Sequence, residues 1–191
     1  MERESIIEDM KRCLQTKDFN VLEHGHMVNR YYKELVTHLI NGTELKLVWK
    51  LPQWIYDYKS IIITNLFDDT IMENYQIYHD CGKPYCQTID DKGKQHFHNH
   101  AKISSEISKV LFPHQEIIHR LIFMDMDIHI LKAKDITEFM GRPEAISLLI
   151  TGLCEIHANA SMFGGLEDKC FKIKWKQLNM RGKRILSSLS I

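Results

Sequence analysis

The residues in this chain best suited to chemistry are an adjacent histidine and aspartate, His79 and Asp80, which follow an apolar segment. Gly82 and Pro84 come soon afterwards, so the pair is expected at the end of a helix. Adjacent helical side chains point about 100° apart, and two of them reach one ion only from a helix end. An imidazole and a carboxylate together suit a divalent transition metal. The pattern indicates a metal site, with an exposed polar pair as the alternative.

A second histidine, His24, lies in the amphipathic segment that follows Asn20. Its spacing from Val21 and Val28 places it on the apolar face of a predicted helix, where it should point inward. A single histidine in such a place is more often a hydrogen-bonded core residue than a ligand. Because imidazole is the commonest protein ligand for metals, His24 becomes a plausible third ligand once the His79–Asp80 pair is considered.

Helical spacing of apolar residues dominates the rest of the sequence and predicts an all-α fold. The predicted helices cover residues 4–15, 20–41, 44–56 with an interruption at Pro52, 58–78, 100–111, 113–131 and 143–163. Asn20 and Asn99 are suited to cap the helices 20–41 and 100–111, and Gly42 and Gly164-Gly165 are suited to end the helices 20–41 and 143–163.

Two segments depart from helical spacing. Residues 83–98 contain the turn sequence Asp90-Asp91-Lys92-Gly93, which predicts a loop or a short β-hairpin. In the tail, residues 169–186, basic and apolar residues alternate from position 171 to 176. That alternation predicts a C-terminal strand.

Length, composition and charge indicate the general class of protein but not its function. The chain has 191 residues, a length typical of one domain, and its 25 basic residues balance 25 acidic ones. Zero net charge gives no global argument for nucleic-acid binding. The charged N-terminus lacks the apolar core of a signal peptide, and apolar runs such as residues 60–64 are too short to span a bilayer. We therefore expect a cytoplasmic protein that does not contact a membrane.

The five cysteines are odd in number and irregularly spaced, which predicts reduced thiols. Cys81 and Cys86 would need two more soft ligands to hold a structural zinc, and the neighbouring sequence offers no second pair of that kind.

Three short stretches together carry a family resemblance: "VLEHGHMV", "IYHDCGKP" and "HAKISSEI". They resemble the HD superfamily of metal-dependent phosphohydrolases. The likeness is closest to the HD domains associated with tRNA nucleotidyltransferases and other RNA-processing enzymes. It implies an HD-type helical bundle forming a single domain over residues 1–191. Its core would cover about 20–163, and a basic extension would cover 166–191.

The resemblance also implies a ligand set. His24, His79 and Asp80 would bind a divalent metal, and Asp80 would bridge two ions if two bind. His100 matches the histidine that completes the second site in family members with two metals. The expected cofactor is therefore one or two ions of Mn, Ni, Co, Fe or Zn, with Mg as a further option.

At two places the chain departs from the family pattern. Asp125 stands where the family has a histidine after an apolar pair, and Glu155 stands where it has a final aspartate. A carboxylate ligates as well as an imidazole, with a changed metal preference. We expect Glu155 to be the last ligand, with Asp125 as its rival.

The expected catalytic residues are Asp80, Lys83 and His100. The resemblance assigns Lys83 to a substrate phosphate oxygen, and His100 to a second metal or to proton donation. His96 and His98 flank Phe97 and face one way in an extended segment, where they would contact substrate phosphate or only solvent.

The remaining substrate-binding candidates are basic. Arg142, Lys174 and Lys176 could contact phosphates, and Trp175 could stack on a base. The alternative for these basic residues is a solvated surface.

The sequence therefore predicts a metal-dependent phosphohydrolase, either a phosphomonoesterase or a phosphodiesterase. Its expected substrate is a nucleotide or an RNA-end phosphate, including a 2',3'-cyclic phosphate. Hydrolysis of a cyclic nucleotide or dinucleotide signal is one alternative. A catalytically degenerate HD module that binds nucleotide or RNA is another, and a purely structural helical adaptor is a third.

Overall fold

The computed structural model describes residues 2–16 and 18–189, and helices make up most of this part of the chain. Two short strands, β1 (Gln87–Ile89) and β2 (Gln95–Phe97), form an antiparallel hairpin. The helices of the described residues are α1 (Arg3–Arg12), α2 (Val21–Asn41), α3 (Trp54–Asp57), α4 (Lys59–Asn65), α5 (Asp69–Tyr78), α6 (His100–Leu111), α7 (Glu116–Phe123), α8 (Asp127–Ile130), α9 (Ile136–Met140), α10 (Ala145–Met162) and α11 (Lys169–Ser188). The predicted all-α class with a small hairpin is confirmed for these residues.

The chain forms two compact units. Unit 1 contains Met1–Met27 and Asp69–Met126, and unit 2 contains Val28–Asp68 and Asp127–Ile191. The first turns of α2 thus belong to unit 1 and the rest of that helix to unit 2. The single HD-type domain expected over residues 1–191 remains a prediction.

In unit 1, the start of α2 is fixed by a reciprocal pair of hydrogen bonds. The side chain of Asn20 accepts from the Glu23 N–H at 2.9 Å, and the Glu23 carboxylate accepts from the Asn20 N–H at 2.9 Å. This capping box confirms the predicted cap. Further along, a Cβ atom on Gly25 would overlap the carbonyl group of Ile77. Glycine therefore lets the backbone of α2 lie directly against the end of α5.

Hydrogen bonds to the Asp90 side chain stabilise the turn of the hairpin. The Asp90 side chain accepts from the backbone N–H groups of Lys92 and Lys94 at 3.0 and 2.9 Å, and Gly93 has a φ of 76°. The turn predicted from the sequence is confirmed. Asn99 then leads into α6 in a left-handed conformation with a φ of 56°, and its side chain makes no capping bond, contrary to expectation.

Helix α7 packs against both α5 and α6 to form the core of unit 1. Met72, Tyr75, Leu121 and Ile122 are buried in it. The sequence predicted one helix over residues 113–131, but α7 ends at Phe123 and α8 begins at Asp127. The Asp125 carboxylate in the break accepts a hydrogen bond from the Tyr75 hydroxyl at 2.6 Å. The sequence pattern gives no sign of this distant contact.

Two other predicted helices are also wrong. Residues 58–78 form two helices, because α4 ends at Asn65 and Leu66 is extended. Residues 44–53 are not helical, since the carboxylate of Glu34 accepts from the backbone N–H groups of Lys46 and Leu47 and from Trp49 Nε1. A side chain of α2 thus holds the first part of this segment outside the helical conformation.

Helix α10 is the central helix of unit 2. It is long and apolar enough to cross a membrane by length and composition alone, but 78% of it is buried inside the structure. That burial is typical of a core helix. Polar residues such as Ser147, Thr151 and His157 interrupt its apolar run.

The tail of the chain forms helix α11 in place of the predicted strand. The Asp168 carboxylate caps it by accepting from the N–H groups of Cys170 and Phe171 at 2.7 and 3.1 Å. Phe171, Leu178 and Ile185 are buried at seven-residue intervals, which is two helical turns. The basic–apolar alternation covers only six residues, and the longer helical period decides the structure.

His157 of α10 is a neutral, buried histidine. Its Nδ1 contacts the Leu153 carbonyl at 2.8 Å, and its Nε2 accepts from the Lys50 N–H at 3.0 Å. Burial lowers the pKa of His157 to about 4. Protonation would also remove the lone pair that receives the Lys50 N–H. The folded state therefore favours the neutral ring.

Replacing His157 should make the free energy of unfolding depend less on pH under acidic conditions. The unfolded histidine takes up a proton near pH 6.5 and the folded one only near 4. The contribution of neutral His157 is thus complete above 6.5 and falls as the pH drops toward 4. We expect wild type to lose up to about 3 kcal/mol more than His157→Gln across that window, measured by urea unfolding. Equal losses in both proteins would contradict this assignment.

Candidate metal centre

Asp80 lies in the turn that follows α5, as the sequence predicted. The turn is held against α6, because the Gly82 N–H donates to Ser104 Oγ at 2.9 Å. A Cβ atom on Gly82 would overlap the backbone of Ser104, so only glycine permits this approach. The short 3₁₀ turn Lys83–Tyr85 then leads the chain toward the hairpin.

Three imidazole rings direct their Nε2 atoms toward the Asp80 carboxylate. Oδ2 of Asp80 lies 3.2 Å from His79 Nε2 and 3.9 Å from His24 Nε2. Oδ1 lies 3.6 Å from His100 Nε2. His24, His79 and Asp80 are almost fully buried, whereas the His100 side chain is 20% exposed.

Backbone carbonyls set the orientation of two of these rings. His79 Nδ1 lies 2.8 Å from the Gln76 carbonyl, and His100 Nδ1 lies 3.0 Å from the Phe97 carbonyl. Because a carbonyl only accepts, the proton of each neutral ring is on Nδ1 and the lone pair is on Nε2. This is the usual arrangement behind a metal-ligating histidine.

The donor set fits a divalent metal. One nitrogen or oxygen from each of His24, His79 and Asp80 lies within 4.8 Å of the others, and within the described ranges they alone form such a group. Two ligand atoms at about 2.1 Å from an ion are separated by about 3 to 4.2 Å, depending on the bond angle. The distances of 3.2 and 3.9 Å to Asp80 Oδ2 fall in this interval. The lone pair on a histidine Nε2 and the carboxylate that it faces repel each other. A cation bound between them, or protonation of the ring, removes this repulsion.

Positively charged and hydrogen-bond-donating groups of the chain already surround the Asp80 carboxylate. Lys83 Nζ lies 2.6 Å from Oδ2, and Gln15 Nε2 donates to the same oxygen at 3.2 Å. Burial alone would raise the pKa of Asp80, but the charges of His79 and Lys83 outweigh it and hold that pKa well below its usual range. Asp80 is therefore ionised and attracts a cation.

No sequence motif marks Gln15 as a site residue. Its side-chain oxygen accepts from Lys83 Nζ at 3.2 Å, so the amide joins the lysine to the carboxylate. The segment that carries it is tied back by the Val21 N–H, which donates to the Cys13 carbonyl at 2.9 Å. Phe97 of the hairpin adds a third contact, with Lys83 Nζ 5.3 Å from its ring centre.

The two later carboxylates have different surroundings. Asp125 is buried in unit 1, where it accepts from Tyr75, and it lies outside the closest group of three. Glu155 belongs to α10 in unit 2, where its Oε2 is 2.7 Å from His129 Nε2. Neither residue joins the group formed by His24, His79 and Asp80.

Arg142 of unit 2 is engaged by acidic side chains. It donates to Asp127 and to Glu138, both at 2.8 Å. These partners already neutralise its charge, which weakens the expectation that it binds a substrate phosphate.

The hairpin histidines face one way, as predicted, and their rings stack at 5.7 Å with an interplanar angle of 4°. His96 Nε2 also lies 2.9 Å from the Asp90 carboxylate.

Lys174 and Lys176 were expected on one side of a strand. On helix α11 they are two residues apart and point in nearly opposite directions, about 200° apart.

Cys81, between Asp80 and Gly82, is fully buried. Burial raises the pKa of its thiol, and its Sγ donates to the Ser104 carbonyl at 3.4 Å. The cysteines of the described residues are free thiols, and the metal-binding group contains none of them.

No protein-family model, curated protein or solved structure matches this chain.

Substituting the clustered ligands should abolish tight metal binding. Helix α2 offers a matched pair, since His24 is buried beside Asp80 and His26 is exposed. We expect His24→Ala and His79→Ala each to weaken Mn²⁺ or Co²⁺ binding by at least about 100-fold, measured by isothermal titration calorimetry. His26→Ala should bind like wild type, and thermal melts should confirm that all variants fold. Equal affinities for His24→Ala and His26→Ala would rule out this site.

Proposed function

We propose that the protein is a metal-dependent phosphohydrolase of the HD type that acts on a nucleotide or an RNA-end phosphate. The observation that carries the proposal is the convergence of His24, His79 and His100 Nε2 atoms on the ionised carboxylate of Asp80. A divalent metal in such a site supplies Lewis acidity toward a phosphate and activates water. His24, His79 and Asp80 would hold it.

This proposal favours Asp125 as the further carboxylate, which would join the site only when metal binds, since it lies outside the group formed by His24, His79 and Asp80. It is buried in the same unit as the other three, and its Oδ1 is oriented by the Tyr75 hydroxyl. Glu155 was the first choice from the sequence, but its contact with His129 in unit 2 favours Asp125.

Two residues of unit 1 would act on the substrate. Lys83 carries a positive charge that Gln15 and Asp80 hold in place, and it would stabilise negative charge on a phosphate oxygen. His100 is more exposed than His24 or His79, so it can reach a bound substrate. A protonated His100 ring would carry a proton on Nε2 that it gives to the leaving oxygen, whereas the neutral ring, with its lone pair on Nε2, would ligate a second metal.

The substrate proposal rests on resemblance to HD domains of RNA-processing enzymes. It favours a nucleotide or RNA-end phosphoester, including a 2',3'-cyclic phosphate, over a cyclic dinucleotide signal. In both cases the reaction would be hydrolysis at phosphorus, and we propose a cytoplasmic location.

A binding module without catalysis is the second candidate. The observation that favours it is the 2.6 Å contact between Lys83 and Asp80, which gives the carboxylate a cation from the chain itself. Such a module need not retain metal. The metal content of the purified protein therefore separates the two candidates.

Activity should depend on the clustered ligands. We expect the protein loaded with Mn²⁺, Ni²⁺ or Co²⁺ to hydrolyse at least one of four substrates: 2',3'-cyclic nucleotides, 5'-mononucleotides, cyclic dinucleotides or bis-p-nitrophenyl phosphate. The rate should exceed that of a His79→Ala, Asp80→Ala double variant by at least about 100-fold. His26→Ala should match wild type. A wild-type rate no higher than that of the double variant on every substrate would refute the proposal.

A further inference from the structure

Helix α11 carries an unusual concentration of positive charge. Its sequence, KCFKIKWKQLNMRGKRILSS, includes seven lysines and arginines and no acidic residue, although the whole chain has zero net charge. Four exposed lysines, Lys169, Lys172, Lys176 and Lys183, fall within an arc of about 60° on one face. We call them the lysine strip. With a rise of about 1.5 Å per residue, the strip is about 21 Å long.

A cavity lies beside the lysine strip within unit 2. Its volume is about 520 Å³, and its lining includes Trp54, Tyr58, Trp175, Asn179 and Lys183. Pockets of about 300–1,000 Å³ with aromatic walls and a few polar groups are typical of small-ligand sites. Lys183 belongs both to the cavity and to the strip, so the two features are continuous.

Trp175 is held in a fixed orientation at this cavity. Its Nε1 donates to the Lys50 carbonyl at 2.6 Å, and Lys50 Nζ lies 4.5 Å from the centre of the ring. A ring fixed before binding loses little entropy when a ligand stacks on it. Lys50 also adds positive charge beside the ring.

The inner part of the cavity supplies a polar group for a base edge. Trp54 Nε1 donates to Asn179 Oδ1 at 3.0 Å, so the amide presents Nδ2 as a donor. A Cβ atom on Gly182 would overlap the Trp54 ring, which shows how closely α11 packs on this indole. Asn179 therefore sits on a rigid support.

Two acidic residues oppose an anionic ligand here. Asp57 lines the cavity and accepts from Gln53 at 2.9 Å, and Glu167 pairs with Lys172 at 2.7 Å. The Glu167–Lys172 pair is exposed, and pairs of that kind contribute little to stability. A phosphate can displace Glu167 from Lys172 at low cost.

We propose that unit 2 binds single-stranded nucleic acid, with one base stacked on Trp175 in the cavity and the backbone phosphates along the lysine strip. A fixed aromatic ring beside a row of lysines is the combination that binds single strands. A duplex hides the faces of its bases, and an acidic peptide would not need the indole. The ligands of the candidate metal centre belong to unit 1, so this inference does not rest on the proposed hydrolase activity.

The first test measures the role of charge. Fluorescence anisotropy with a labelled 12-nucleotide RNA, and with DNA of the same sequence, would be recorded in EDTA to exclude metal-dependent cleavage. The Lys172→Gln, Lys176→Gln, Lys183→Gln variant should weaken binding at least about tenfold. It should reduce the slope of log K against log salt by about two, since each single-strand phosphate contact contributes about 0.7. The control variant Lys46→Gln, Lys92→Gln, Lys134→Gln makes the same charge change at exposed sites elsewhere and should bind like wild type.

The second test measures stacking. Trp175→Leu should weaken binding by about 5- to 150-fold, whereas Trp175→Phe, which keeps an aromatic ring, should stay within about threefold of wild type. In the wild-type protein, the oligonucleotide should also quench tryptophan fluorescence, a readout that does not depend on how a variant folds.

Three results would overturn the inference. They are wild-type affinity in a folded Trp175→Leu variant, equal losses in the two triple-lysine variants, and duplex binding as tight as that of the single strand.

Discussion

The burial of one negative charge, on Asp80, determines how unit 1 is organised around its candidate site. The residue is 2% exposed and ionised, and an uncompensated buried charge costs several kcal/mol. Lys83, three residues further on, compensates this charge at 2.6 Å, and distant segments contribute Gln15, from the segment after α1, and His24, from the start of α2. The charge that would bind a metal is thus also the charge that brings these segments together.

Two glycines make this arrangement sterically possible. Gly25 allows α2 to touch the backbone of Ile77, and Gly82 allows the turn after Asp80 to touch Ser104 of α6. His24 directly precedes Gly25, and Asp80 lies two residues before Gly82. Backbone carbonyls then orient the rings of His79 and His100. The site is therefore built on close backbone packing, which favours fixed donor positions.

Local patterns predicted those features that depend on local interactions. The Asn20 cap, the Asp90 turn, the bounds of α6 and the inward face of His24 all follow from residues a few positions apart. Long-range contacts decide the features that were missed. Glu34 bonds the backbone of Lys46 and Leu47, where a helix was predicted, and Tyr75 donates to Asp125 in the break after α7. The role of Gln15 also depends on a contact that no motif marks. In α11, six alternating residues suggested a strand, whereas burial at Phe171, Leu178 and Ile185 follows the helical period.

The central claim is that the buried carboxylate of Asp80 shares a metal ion with two histidines. The most direct test is a crystal structure of the protein grown with Mn²⁺ or Co²⁺, with anomalous diffraction used to locate the ion. The account predicts one anomalous peak about 2.0–2.2 Å from the Nε2 atoms of His24 and His79 and from an Asp80 carboxylate oxygen. No peak at that position under saturating metal, with Lys83 Nζ still bound to Asp80, would contradict it.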